Sequence, residues 1–75
     1  MSDIINLGKV PPHSAEAEQT VLASALIDHI AVEKIVNLLN ADDFYFEANK
    51  EIFDSIRQVH IENIPVDAVT VTEEL

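Results

Sequence analysis

The 75-residue sequence has no cysteine and a single glycine, Gly8. The first absence excludes disulfides and thiolate metal sites. The second excludes a phosphate-binding loop of the GxxxxGK[ST] type, and no serine is flanked by glycines as a nucleophile elbow requires. Positive charge is nearly as scarce. Lys9, Lys34, Lys50 and Arg57 face 14 acidic residues, for a formal net charge of -10. Phosphate backbones are held by clustered Lys and Arg, which four scattered cations cannot form. Direct nucleic-acid binding is therefore not expected, nor is adhesion to an anionic membrane. Long hydrophobic runs are missing too: none approaches the roughly 20 residues of a membrane span. The start "MSDIINLGKV" lacks the basic end and apolar core of a signal peptide. The composition thus reads as that of a cytoplasmic protein. The three histidines, His13, His29 and His60, lie far apart and share no helical turn. They read as a linker residue, a loop residue and a partly exposed helix residue, so no metal site is expected.

What is present is apolar patterning. Apolar residues make up 48% of the chain, enough for a folded domain despite the charge. Residues 1–12, with Gly8 and the Pro11-Pro12 pair, read as a flexible arm, and residues 13–75 as one small domain. Ser14 can cap a first helix, with Glu16 at the positive end of its dipole and Ala17 where a strict capping box would want Glu. Its stripe is Val21, Leu22, Ala25 and Leu26, and the small residues Ala23 to Ala25 would admit a close neighbour.

"AVEKIVNLLN" offers a second helix. Val32, Ile35, Val36, Leu38 and Leu39 form so wide an apolar face that it is expected at the centre of the core. Asn40 to Asp43 end it and can cap a short further turn ahead of Phe44-Tyr45-Phe46. In the third segment Ala48, Ile52, Phe53, Ile56 and Val59 face inward, with Lys50, Glu51, Asp54, Arg57 and Gln58 outside. Phe44 and Phe53 should anchor the interior, and Tyr45 should keep its hydroxyl near water or a partner. Pro65 then fixes an extended turn. Asp67 can cap a last helix, with Thr70 and Glu73 as an alternative start. The β-branched run Val69 to Thr72 would suit a strand, but no second strand is available to pair with it. The expected fold class is therefore all-α, a small orthogonal bundle of about four helices. The last helix reaches Leu75 without a capping glycine, as a piece of a longer domain would.

The carboxylates Glu16, Glu18, Asp42, Asp43, Glu73 and Glu74 stand where helix starts or solvated faces favour negative charge. None is assigned catalysis, which would need a pocket and a shifted pKa. No catalytic, cofactor-binding or metal residue is expected, and the residues alone describe a small acidic interaction domain. A free-standing adaptor that grips one partner helix would fit them equally.

The order of the motifs is more specific. The chain resembles the N-terminal domain of bacterial replicative DNA helicases, the DnaB family. Pro12-His13-Ser14-Ala15-Glu16-Ala17-Glu18-Gln19 matches its helix start, and Val21-Leu22-Ala23-Ser24 its small-residue patch. Asp43-Phe44-Tyr45, Ile52-Phe53 and the turn Pro65-Val66-Asp67-Ala68-Val69-Thr70-Val71 follow in register. The sequence departs from the family at Ala23-Ser24, where many members carry paired glycines or Gly-Ser. It departs again at Ala41, often proline, and near Asn49, where a histidine is common.

The resemblance implies the head of a collar domain, ahead of a helical hairpin and a RecA-like motor. Its partners would be other helicase subunits in a hexamer, primase and the helicase loader. ATP and Mg would belong only to the motor, so no cofactor is expected here. Apolar residues that meet the hairpin would be exposed, with Val69, Val71 and Leu75 as candidates. Removal of residues 1–12 is expected to leave the fold intact. Circular dichroism at 222 nm checks this, and a collapse of helicity in the shortened chain would refute the arm assignment.

Overall fold

A computed structural model describes residues 14–75, which form four α-helices and one 3-10 turn with no strand. The expected arm, residues 1–12, and His13 lie outside the described residues. Helix α1 spans Ala15–Ile27 and α2 spans His29–Leu38; a 3-10 turn at Ala41–Asp43 precedes α3, Glu47–Ile61, and α4 is Ala68–Glu74. The all-α expectation holds.

Each boundary has a local cause. Ser14 starts α1, its Oγ accepting the Ala17 N–H at 3.2 Å. Asp28 is the only residue between α1 and α2. It is extended (φ -124°, ψ 107°), and its Oδ1 accepts the N–H groups of Ile30 at 2.9 Å and Ala31 at 3.3 Å. One residue thus ends one helix and caps the next, so His29 opens α2 rather than sitting in a loop. In the 3-10 turn the Asp43 carboxylate reaches back to the Asn40 N–H at 2.8 Å.

Helix α3 ends in a Schellman motif. The Asn63 N–H donates to the His60 carbonyl and the Ile64 N–H to the Val59 carbonyl, with Asn63 left-handed at φ 63°. Asparagine tolerates that conformation better than most residues with a Cβ. Helix α4 begins with a reciprocal box: Asp67 Oδ1 accepts the Thr70 N–H at 2.9 Å, and Thr70 Oγ1 accepts the Asp67 N–H at 3.1 Å. Thr70 therefore serves the Asp67 cap rather than starting a helix of its own. That box, with Val71 inserted in the core, outweighs the strand preference of Val69 to Thr72.

The core is Leu22, Ala25, Val32, Phe44, Phe53, Ile56, Val59 and Val71. Helix α3 supplies its three most deeply buried large side chains, Phe53, Ile56 and Val59. It is also the helix that α1, α2, the 3-10 turn and α4 all touch. The rings of Phe44 and Phe53 meet at 5.2 Å between centroids, tilted by 35°. Both phenylalanines are interior, as their sequence positions implied.

Three expectations need correction. Helix α2 is peripheral rather than central: only Val32 is buried, while Ile30 and Leu38 are 61% and 77% exposed. It packs mainly on α1 and lightly on α3, so its apolar face is wider than its neighbours can cover. Ala48 is exposed and its neighbour Asn49 is buried instead, for a reason found at the start of α3. Val71 is buried, whereas Val69 and Leu75 are each 65% exposed. Two helical residues turn the chain by about 200°, so Val69 and Val71 point to opposite sides. Ala25 is buried as a close-packing position, but Ala23 is exposed.

Phe53→Ala is expected to cost about 3–5 kcal/mol. For a domain of this size that approaches its whole stability. Urea denaturation followed by circular dichroism should show loss of the cooperative transition, or a steep fall in its midpoint.

Candidate functional site

The most organised polar arrangement joins residues far apart in sequence. Glu18, in the first turn of α1, turns its carboxylate toward the start of α3. Its Oε2 accepts the Tyr45 N–H at 2.7 Å, and its Oε1 accepts the Asn49 Nδ2 at 2.8 Å. The Phe46 N–H lies 3.5 Å from Oε1, a longer and weaker contact. Phe46 stands at the N-cap of α3 without a side-chain oxygen to cap it. Glu18 therefore adds, from another helix, a second carboxylate to a helix start that has Glu47 in its first turn but no side-chain cap of its own. Asn49 is buried because its amide completes this carboxylate's shell.

The pattern extends to every helix start in the described chain. Ser14, Asp28 and Asp67 cap α1, α2 and α4, and Glu18 serves α3. A free helix N-terminus is a ready anion site. Here the chain's own oxygens, mostly carboxylates, occupy those positions.

Around the Glu18 contact the surface is concave. One cleft of about 140 Å³ is lined by Ala17, Glu18, Val21, Leu39, Asp43 and Phe44. A second, shallower one of about 400 Å³ is lined by Asp42, Asp43, Phe44, Tyr45 and Lys50. Asp43 and Phe44 border both. The smaller cleft has apolar walls, whereas charged side chains, Asp42, Asp43 and Lys50, make up much of the larger one. Tyr45 is 55% exposed, its ring edge-on to Phe46 at 5.0 Å between centroids.

No three His, Asp or Glu side chains among the described residues converge as metal donors. His29 is exposed in the first turn of α2, and His60 is half-buried in the last turn of α3. Of the carboxylates singled out from the sequence, Glu18, Asp42 and Asp43 come together at this corner. Glu16, Glu73 and Glu74 are exposed elsewhere in the first and last helices. The sequence places Glu18 at a helix start, which is correct, but not its second role, and it marks Asn49 only as a departure from the family pattern, not as a buried partner of Glu18.

These features define a small, acidic, all-α domain with an internal carboxylate clamp. The chain belongs to the DnaB-like helicase N-terminal domain family, whose sequence model matches residues 10–75. It is 42% identical over 67 residues to the replicative DNA helicase DnaB of Geobacillus stearothermophilus, covering 89% of this chain and 15% of that protein. Against the DnaB of Pasteurella multocida (strain Pm70) identity is 41% over 68 residues, with coverage of 91% and 15%. The DnaB of Buchnera aphidicola subsp. Schizaphis graminum (strain Sg) is 37% identical over 71 residues, with coverage of 95% and 15%. The chain thus spans about 15% of the length of these relatives. No solved structure was matched. No helix among the described residues is long and apolar enough to cross a membrane.

Glu18→Ala is expected to destabilise the fold by about 2 kcal/mol, because it strands the Tyr45 N–H and the buried Asn49 amide. Glu16→Ala, at an exposed position in the same turn, should change stability by less than about 0.5 kcal/mol. Paired urea melts of the two variants make the test, and equal midpoints would show that the clamp contributes nothing.

Proposed function

We propose that this chain is the head of the N-terminal collar of a replicative DNA helicase. In that reading the whole protein is a hexameric, ATP-driven enzyme that unwinds duplex DNA at the bacterial replication fork, in the cytoplasm. The head contributes to subunit assembly and to recruitment of primase and the helicase loader, and carries no catalysis, metal or cofactor. Residues 13–75 form the head and residues 1–12 its leading arm. The observation that carries the reading is family membership along residues 10–75, in relatives named as replicative DNA helicases.

Two physical features support a protein-contact role over a nucleic-acid role. The net charge of -10 opposes phosphate, the starts of α2 and α4 are capped by Asp28 and Asp67, and the Glu18 carboxylate stands at the start of α3. Exposed apolar side chains also exceed what a small acidic surface requires. Ile61, Ile64, Val69 and Leu75 lie bare at the end of α3, the turn that follows it and α4. We assign that face to the remainder of the collar domain. The compact core around Phe53 then acts as a rigid acidic wedge between subunits, disfavouring contact of DNA with the outer surface.

The recruitment reading is tested with the chain itself. Light scattering fixes its mass, a thermal melt its cooperativity, and calorimetry its affinity for the helicase-binding domain of a primase. A cooperative melt with saturable binding is the expected result. A cooperatively folded chain that ignores primase would overturn recruitment by this head.

A further inference from the structure

The paired clefts at the junction of α1, the 3-10 turn and α3 have a chemistry that selects their occupant. Ala17, Val21, Leu39 and Phe44 provide an apolar wall, while Glu18, Asp43 and Asp42 provide carboxylates along the rim. Among the described residues, Lys50 is the one cation lining either cleft. Glu18 is already committed to the start of α3, and one Asp43 oxygen to the Asn40 N–H. Asp42, by contrast, is exposed and makes no hydrogen bond or ion pair among the described residues. The corner thus combines a side-chain-sized apolar recess with an excess of negative over positive charge among the described residues at its edge. An aliphatic stem ending in a cation satisfies both, since Lys and Arg lay their stems on apolar surface and keep the charge at its margin.

We infer that this corner docks a cationic amphipathic segment of a partner protein. A lysine or arginine stem lies against Val21, Leu39 and Phe44, and its charge meets Asp42 and Asp43. Charge complementarity selects this partner: an acidic segment, a nucleic acid or a lipid phosphate would be repelled by the rim and by the whole chain. The inference rests on the recruitment reading and specifies a face and a chemistry for it. It places recruitment away from Ile61, Val69 and Leu75, leaving that apolar face to the collar.

The test uses the 15N-labelled chain and a synthetic helical peptide of alternating leucine and lysine pairs, with its lysine-to-glutamate counterpart as control. Amide shifts should concentrate at residues 17–21 and 39–46 with the basic peptide and be absent with the acidic one. Asp42→Lys should weaken binding roughly fivefold, whereas Glu74→Lys, an equal change of charge at the far end of the chain, should weaken it by less than about twofold. Asp42→Asn, a milder change, should fall between, and unchanged melts of all three variants separate docking from folding. Shifts spread evenly over the acidic surface, or equal weakening by Asp42→Lys and Glu74→Lys, would overturn the proposal. Shifts centred on Ile61, Val69 and Leu75 would do the same. So would movement of the corner amides when the chain alone is concentrated and its mass doubles, which would make a second copy the occupant. Primase binding that survives Asp42→Lys unchanged would leave recruitment standing and remove only this face.

Discussion

The placement of Glu18 is the constraint on which the remainder of this small fold depends. Its carboxylate takes the Tyr45 N–H and the Asn49 amide, tying the first turn of α1 to the first turn of α3 across 27 and 31 residues of sequence. Phe46, the N-cap of α3, has no side-chain oxygen to offer, and Glu18 takes the Tyr45 N–H just ahead of the helix and the Asn49 side chain within it. The same contact holds the segment from Phe44 to Phe46 in the orientation that sends Phe44 inward onto Phe53. A polar clamp and an aromatic contact are therefore two sides of one corner. Packing holds the corner from within, and hydrogen bonds hold it from the solvent side.

Around that corner the architecture is organised by α3. It touches the other helices and the 3-10 turn, and its Phe53 and Ile56 are completely enclosed. A chain of this length buries a modest fraction of its surface, so a single central helix with satellites is an economical arrangement. Its consequence is incomplete coverage. Ile30 and Leu38 on α2, and Val69 and Leu75 at the end of the chain, remain outside the core. The bare apolar surface is thus a product of geometry: three short helices and a 3-10 turn around one helix cannot enclose every apolar face the sequence carries.

The acidic composition has a structural use beyond solubility. Asp28 and Asp67 cap helices directly, Asp43 closes the 3-10 turn, and Glu18 serves a helix other than its own. Negative charge at a helix start is locally stabilising and, summed over a surface, opposes phosphate. The chain belongs to a helicase N-terminal domain family along residues 10–75 and spans about 15% of the length of its relatives. Stabilising the helices and keeping an acidic exterior are achieved by the same side chains.

Much of this was legible in the linear sequence, because the information was local. Ser14 and Asp67 announce helix starts by bonds spanning three residues, and the spacing of Ile52, Phe53, Ile56 and Val59 defines an inward face. The order of the blocks from Pro12 to Val71 was enough to indicate the family. Tertiary structure decided what local pattern could not encode. The wide apolar face of α2 looked central, yet exposure depends on which neighbours arrive, and they cover only one side of it. Val71 and Val69 are equally apolar, and only the docking of α4 on α3 determined which would be buried. Glu18 and Asn49 meet because two helices cross there, a relation carried by no periodicity in the chain.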